Sequence, residues 1–186
     1  VIGSEQIISA LFGYGSFTEN SVFNSSNALY YFGLGLPAFA LIKVFSTFFF
    51  ANQDTKTPFY ISLVSVLLNI LISVYFFKDI GFIIIPIATT ISSWFNSLIL
   101  FIYLKNNNLF EFNKTFFKQF VKIIFASIIM GIFFQYLILL FENQLSYAYF
   151  FKSAYLLLCV LFTIIFYFAV SYFIKAFNYQ DIKLKY

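Results

Sequence analysis

Along the chain, apolar residues fall into five long runs separated by short polar breaks. The runs are Asn27–Ala51, Pro58–Phe77, Ile80–Leu104, Phe116–Phe141 and Tyr149–Ile174. Each reaches the roughly 20 residues an α-helix needs to cross a hydrocarbon core about 30 Å thick. None shows the two-residue alternation of a barrel strand, so strands are excluded. An opening run, Val1–Phe12, reads as the end of one further helix. The pattern therefore predicts an all-α integral membrane protein. It is an antiparallel transmembrane helix bundle, with five full spans plus the end of a sixth.

The breaks set the connections. Gly13–Ser26 is rich in Gly, Ser and Asn and reads as a loop. Asn52–Thr57 is a tight polar turn, with Thr57 the expected N-cap and Pro58 at the first helical position. Lys78–Asp79 leaves almost no loop, Lys105–Thr115 holds three successive Asn, and Glu142–Tyr147 is short. Asn178–Tyr186 is a polar, basic tail. The chain opens without Met and in mid-pattern, so the reading is of a segment that continues an earlier helix.

Composition agrees and narrows the chemistry. The chain is 62% hydrophobic and only 10% charged, with mean hydropathy +0.91. A soluble domain carries about 25% charged residues, and it cannot hide this much apolar surface. There is no His, so the commonest general base and metal ligand is absent. The single cysteine, Cys159, excludes an internal disulfide and a multi-Cys metal site, and reads as a small buried hydrophobe. No nucleophile–base pair or phosphate loop is visible, so the sequence is not that of an enzyme. A net charge of +4, spread along the chain, gives no nucleic-acid footprint.

The basic residues, all Lys, instead orient the helices. Alternating the connections puts Lys56, Lys105, Lys114, Lys118, Lys122, Lys175, Lys183 and Lys185 on one side. Only Lys78 and Lys152 fall on the other. By the positive-inside rule, the Asn52–Thr57 turn, the Lys105–Thr115 loop and the C-terminus are expected in the cytoplasm. Gly13–Ser26, Lys78–Asp79 and Glu142–Tyr147 are expected outside.

Lys43 lies within a span, roughly 12 Å deep at 1.5 Å per residue. It either snorkels to the interface or faces a polar cavity between helices. Its helix also carries Gly33, Gly35 and Pro37, an expected weak point. Asn69 and Ser73 share a face of the next span, and Thr89 stands at similar depth in the span after it. Pro86, lacking an N–H, is expected to leave a carbonyl free nearby. These oxygens suit a cation or a polar substrate group, or else serve as interhelical hydrogen bonds.

Several stretches resemble the MurJ (MviN) family. They are Ser9–Thr18, Leu34–Val44, Phe49–Pro58 and Ile87–Ile91 with Trp94 and Asn96. The turn Gln53, Asp54, Thr55, Lys56, Thr57, Pro58 is the most specific of them. The resemblance covers about the first hundred residues; the last two spans match only in hydropathy and position.

The resemblance implies a C-terminal portion of a fourteen-helix flippase of the MOP exporter superfamily. Residues 1–12 would end a truncated transmembrane helix and 13–26 would form a periplasmic loop. Residues 27–104 would be three helices of the second lobe, and 105–115 a cytoplasmic loop. Residues 116–177 would be two C-terminal helices forming a lipid-tail groove, and 178–186 a cytoplasmic tail. Such a family carries lipid II, the undecaprenyl-pyrophosphate-linked disaccharide-pentapeptide, across the bacterial inner membrane by alternating access for cell wall synthesis. The implied partners are lipid II, membrane lipids and the missing N-terminal lobe of the same protein, which would hold the family's functional arginines.

On this resemblance Lys43, Asn69 and Thr89 are candidate cavity residues. Asn69, Ser73 and Thr89 match a monovalent-cation (Na+) site, with Ser73 where the family has an acid. No other cofactor is expected. The alternatives are another exporter of the superfamily, moving polysaccharide-linked lipid or drugs, and an inactive membrane fragment.

Overall fold

The computed structural model describes residues 2–107 and 114–175. The Asn178–Tyr186 tail and most of the Lys105–Thr115 loop lie outside the described residues. Six α-helices run in chain order. They are α1 (Ser4–Phe12), α2 (Glu19–Ala51), α3 (Lys56–Ile80), α4 (Ile84–Asn106), α5 (Lys114–Leu140) and α6 (Lys152–Phe173), with one 3-10 turn at Gly81–Ile83. No strand occurs among the described residues.

The stretches Glu19–Ala51, Lys56–Asn106, Phe117–Leu140 and Lys152–Phe173 are long and apolar enough to cross a membrane. The second holds 51 residues because α3 folds back on α4, so five helices have spanning length. Only 11% of its most apolar window is buried within the chain. Side chains such as Leu71, Val74 and Tyr75 point outward, which is stable only where the solvent is itself apolar. The expected all-α membrane fold is what the structure shows.

Three local details differ from the sequence expectations. First, α2 begins at Glu19 rather than Asn27, which shortens the connection after α1. Thr18 caps it, its hydroxyl accepting the Ser21 N–H at 3.3 Å.

Second, the break between α3 and α4 falls at Gly81, while Lys78 and Asp79 complete the last turn of α3. Gly81 takes φ 74° and ψ −153°, a conformation essentially restricted to glycine.

Third, α4 starts at Ile84, so Pro86 sits in its first turn, where a missing N–H leaves no gap. The Phe82 carbonyl that Pro86 was expected to free accepts the Ile84 N–H instead.

The chain divides into two compact units. One holds α2 from Phe23 onward, α3 and α4. Its core is Phe45 and Phe49 of α2 against Leu100 and Leu104 of α4. Ala88, Ser92, Ser93 and Ser97 are buried along α4, small residues that let helices approach closely.

The other unit joins α1, α5 and α6. Ala10, Ile138, Leu145 and Leu156 form its core, and Phe133 stacks on Phe166 at 4.1 Å. Cys159 is free and buried here, as expected.

Lys152, counted above only as a topology charge, is in fact 1% exposed. Its ammonium donates to the carbonyls of Gly13 and Tyr147, each at 2.7 Å. It also sits 4.5 Å from the ring centres of Tyr14 and Tyr147. Around it, Ser153 donates to the Ala10 carbonyl at 2.6 Å, and the Tyr14 hydroxyl meets Ser153 Oγ at 2.7 Å. Gly13 has no room for a side chain beside it, since a Cβ there would lie 2.5 Å from the Ser9 carbonyl oxygen and 3.0 Å from Nζ.

Two outcomes test these anchors. Lys152→Met strands the buried Gly13 carbonyl and the half-buried Tyr147 carbonyl and should destabilise the protein by about 2–4 kcal/mol, read as a lowered melting temperature in detergent. Gly81→Ala meets no steric obstacle and should cost about 1–3 kcal/mol through backbone strain alone, by the same measurement.

Candidate functional site

The polar residues of the first unit collect at two places on α4. One is its seam with α3. The Asn69 amide donates through Nδ2 to Thr89 Oγ1 at 3.1 Å and to Ser92 Oγ at 3.3 Å. Ser73 Oγ donates to Asn69 Oδ1 at 3.3 Å, and Thr89 Oγ1 donates to the Ile85 carbonyl at 2.8 Å.

Further along, Asn96 Nδ2 donates to Ser62 Oγ at 3.4 Å. The pairs 69–89 and 62–96 both centre on residue 79, so the antiparallel register that the sequence implies is realised. Asn69, Ser73 and Thr89 are thus brought together. Ser92 joins them, and Ser62 pairs with Asn96, neither having been anticipated, because a serine in an apolar run signals nothing unless its facing partner is known. The buried Asn96 Oδ1 has no partner among the described residues.

The second place is the contact of α4 with α2. Thr90 donates to the Tyr31 carbonyl at 2.7 Å. One turn on, the Trp94 indole N–H donates to the Leu34 carbonyl at 3.1 Å. Gly35 is buried between them: a Cβ there would lie 3.0 Å from Thr90 Oγ1 and 3.5 Å from its Cα. Pro37 follows inside the helix and deprives the Gly33 carbonyl of its usual N–H. The stretches Leu34–Val44 and Ile87–Asn96, separate in the sequence, therefore meet in space.

Lys43 does not join either cluster. It is exposed on α2, on one face with Leu36, Ala40 and Thr47. The buried seam of the same helix runs through Gly35, Ala38, Phe45 and Phe49. Lys43 accordingly points away from its own unit, and no hydrogen bond reaches it among the described residues.

The turn Gln53–Pro58 is explained by backbone accounting. Gln53 adopts φ 59°, the left-handed position that closes α2. The Gln53 N–H bonds the Phe50 carbonyl and the Asp54 N–H the Phe49 carbonyl, each at 3.0 Å. Asp54 then starts α3: its carboxylate accepts the N–H of Thr57 at 3.0 Å and of Lys56 at 3.1 Å. Asp54, rather than the expected Thr57, is thus the capping side chain. A carboxylate reaches two amides at once and complements the helix dipole. The Thr57 hydroxyl, then the Thr57 and Lys56 amides, hold the Asp54 carboxyl below its ordinary pKa.

Spanning helices, one of them carrying an internal proline, and polar side chains paired inside the span define a polytopic helical membrane protein. Residues 1–160 match the family model described as "Lipid II flippase MurJ", and the chain belongs to that family. Among its relatives, a probable lipid II flippase MurJ of Buchnera aphidicola subsp. Baizongia pistaciae is 32% identical over 141 residues, which is 76% of this chain and 26% of the relative. One from Rickettsia prowazekii is 29% identical over 188 residues, covering 97% of this chain and 36% of that protein. One from Rhizobium meliloti is 38% identical over 101 residues, or 54% of this chain and 19% of the relative. The chain therefore spans between a fifth and about a third of the length of these relatives.

The Asp54 cap yields a pH expectation. Its folded pKa is depressed, so the stability it contributes is present above the ordinary carboxylate value of about 3.9 and is lost as pH falls through the lower folded value. Asp54→Asn should speed hydrogen exchange of the Lys56 and Thr57 amides at neutral pH. That difference from the unsubstituted protein should vanish under acid.

Proposed function

We propose that this chain forms part of a flippase that moves lipid II across the bacterial inner membrane by alternating access, with the C-terminus in the cytoplasm. The match to the MurJ family over most of the chain carries this reading. The eight-to-two distribution of lysines supports the orientation.

In this reading Lys43 is a contact for the anionic head group. It is a cation on the outward face of a spanning helix, where an uncompensated charge costs about 2.5–3.5 kcal/mol at the bilayer centre. A pyrophosphate passing through a polar cavity would offset that cost. Residues 116–177 would lie along the lipid tail, their exposed Phe, Ile and Leu facing an apolar partner.

A bare monovalent cation does not fit the Asn69 cluster as it stands. Asn69 turns its N–H groups, rather than its oxygen, toward Thr89 and Ser92. Its oxygen already accepts from Ser73, and the set carries no carboxylate. The cluster is better described as the hydrogen-bonded joint of α3 and α4, worth about 0.6–2 kcal/mol per bond.

The complete gene should restore growth when the resident flippase of a bacterium is depleted; no growth at normal expression would make this an inactive relative. In the same assay Lys43→Ala should reduce lipid II transport about tenfold at equal abundance, the scale of one lost charge-assisted contact. Replacing sodium by potassium should leave the rate unchanged.

A further inference from the structure

The Gly13–Thr18 connection between α1 and α2 has the composition of a hinge, with Gly13, Gly15 and Ser16 among its residues. Its hydrogen bonds are those of a strap. Ser153 Oγ donates to the Ala10 carbonyl, Lys152 Nζ to the Gly13 carbonyl and the Tyr147 hydroxyl to the Phe17 carbonyl. The Tyr14 hydroxyl meets Ser153 Oγ as well. The backbone is therefore held at positions 10, 13 and 17, and every donor comes from the Tyr147–Ser153 stretch that leads into α6. The connection also closes on itself. The Tyr14 N–H donates to the Phe12 carbonyl at 2.7 Å and the Phe17 N–H to the Tyr14 carbonyl at 3.2 Å.

The hold extends into α2. Thr18, whose hydroxyl caps that helix, accepts the Val22 N–H on its carbonyl at 3.0 Å, and Val22 is buried. The chain up to Val22 belongs to the same compact unit as α1, α5 and α6.

Two properties set how such a joint behaves in use. The first is burial. Opening it would leave the Lys152 ammonium and the Gly13 carbonyl without partners and away from water, which is strongly penalised. The second is spread. Four bonds bridge 130 to 143 residues of sequence, so losing one does not release the others. A gate needs the opposite, exposed bonds that water can replace.

We propose that Tyr147, Lys152 and Ser153 are positioning residues that keep α1, the Gly13–Thr18 strap, the first turn of α2 and the α5–α6 hairpin in one body throughout transport. The exposed apolar surface of α5 and α6 then meets the lipid tail without changing shape, and the alternation of access falls to other joints. The functional half of this inference rests on the flippase reading above, and the structural half on the bonds alone. The three residues act through the backbone they hold.

The test uses the complete protein in nanodiscs, with Cys159→Ala and spin labels at Ser16→Cys in the strap and Ile165→Cys on α6. Both are exposed positions of the same unit. The label-to-label distance should form one narrow population that adding lipid II leaves unchanged. Lys152→Met combined with Tyr147→Phe should broaden that population about twofold as the strap opens locally. The same variant should slow lipid II transport per folded molecule about tenfold, whereas a role in stability alone would lower abundance and leave that rate unaltered. Tyr147→Phe by itself keeps the ring over Lys152 and removes only the bond to Phe17, so it tests the strap with the ammonium still caged. It should produce both changes at smaller size. A distance that shifts when lipid II is added would overturn the proposal. So would a population that stays narrow in both variants, or one that broadens with transport unaltered. Absence of transport by the unsubstituted protein would overturn the flippase reading, and the distances would still decide the strap.

Discussion

A bilayer offers no hydrogen bonds, so every backbone amide and carbonyl inside it must be satisfied by the protein. The helices meet most of that demand through their own ladders. What distinguishes this chain is how it treats the places where a ladder stops or fails. In the turns before Pro37 the neighbouring helix adds an indole and a hydroxyl donor to the Leu34 and Tyr31 carbonyls. At the end of α2 the chain turns through a left-handed residue and a carboxylate starts the next helix. At the entry to α6 a buried ammonium collects carbonyls from two separate connections. The polar side chains in the apolar runs are thus mostly spent on backbone or on one another.

This rule makes sense of the stretches that first pointed to the family. Leu34–Val44 and Ile87–Asn96 belong together because one supplies the glycine-thinned, proline-bearing backbone and the other supplies the donors that dress it. Gln53–Pro58 is a helix stop followed at once by a helix start, with no residue spare. A functional reading of such stretches need not place all of them on the substrate. Lys43 is a basic side chain inside the apolar run of α2 that turns away from its own unit, which is why the proposed head-group contact falls on it.

The spans were legible because length and hydropathy follow from bilayer thickness alone. The facing of Asn69 and Thr89 was legible too, since a near-absent loop fixes antiparallel register. Other features depended on facts the sequence does not display. The capping role went to Asp54 because its carboxylate reaches two amides, which spacing cannot distinguish from a Thr57 cap. Pro86 proved innocuous because the helix starts two residues before it, a boundary that a continuous apolar run conceals. Lys152 counted only as a topology charge, because its carbonyl and aromatic partners include groups more than a hundred residues away in sequence.

The cage around Lys152 has one more property. Its charge is met by carbonyl dipoles and ring faces, with no carboxylate among the partners described. A fastening built on a salt bridge loosens when acid neutralises its anion. This one offers acid no anion to neutralise. A joint of this composition would keep α1 and α6 clasped at an acidity that opens ordinary ion pairs.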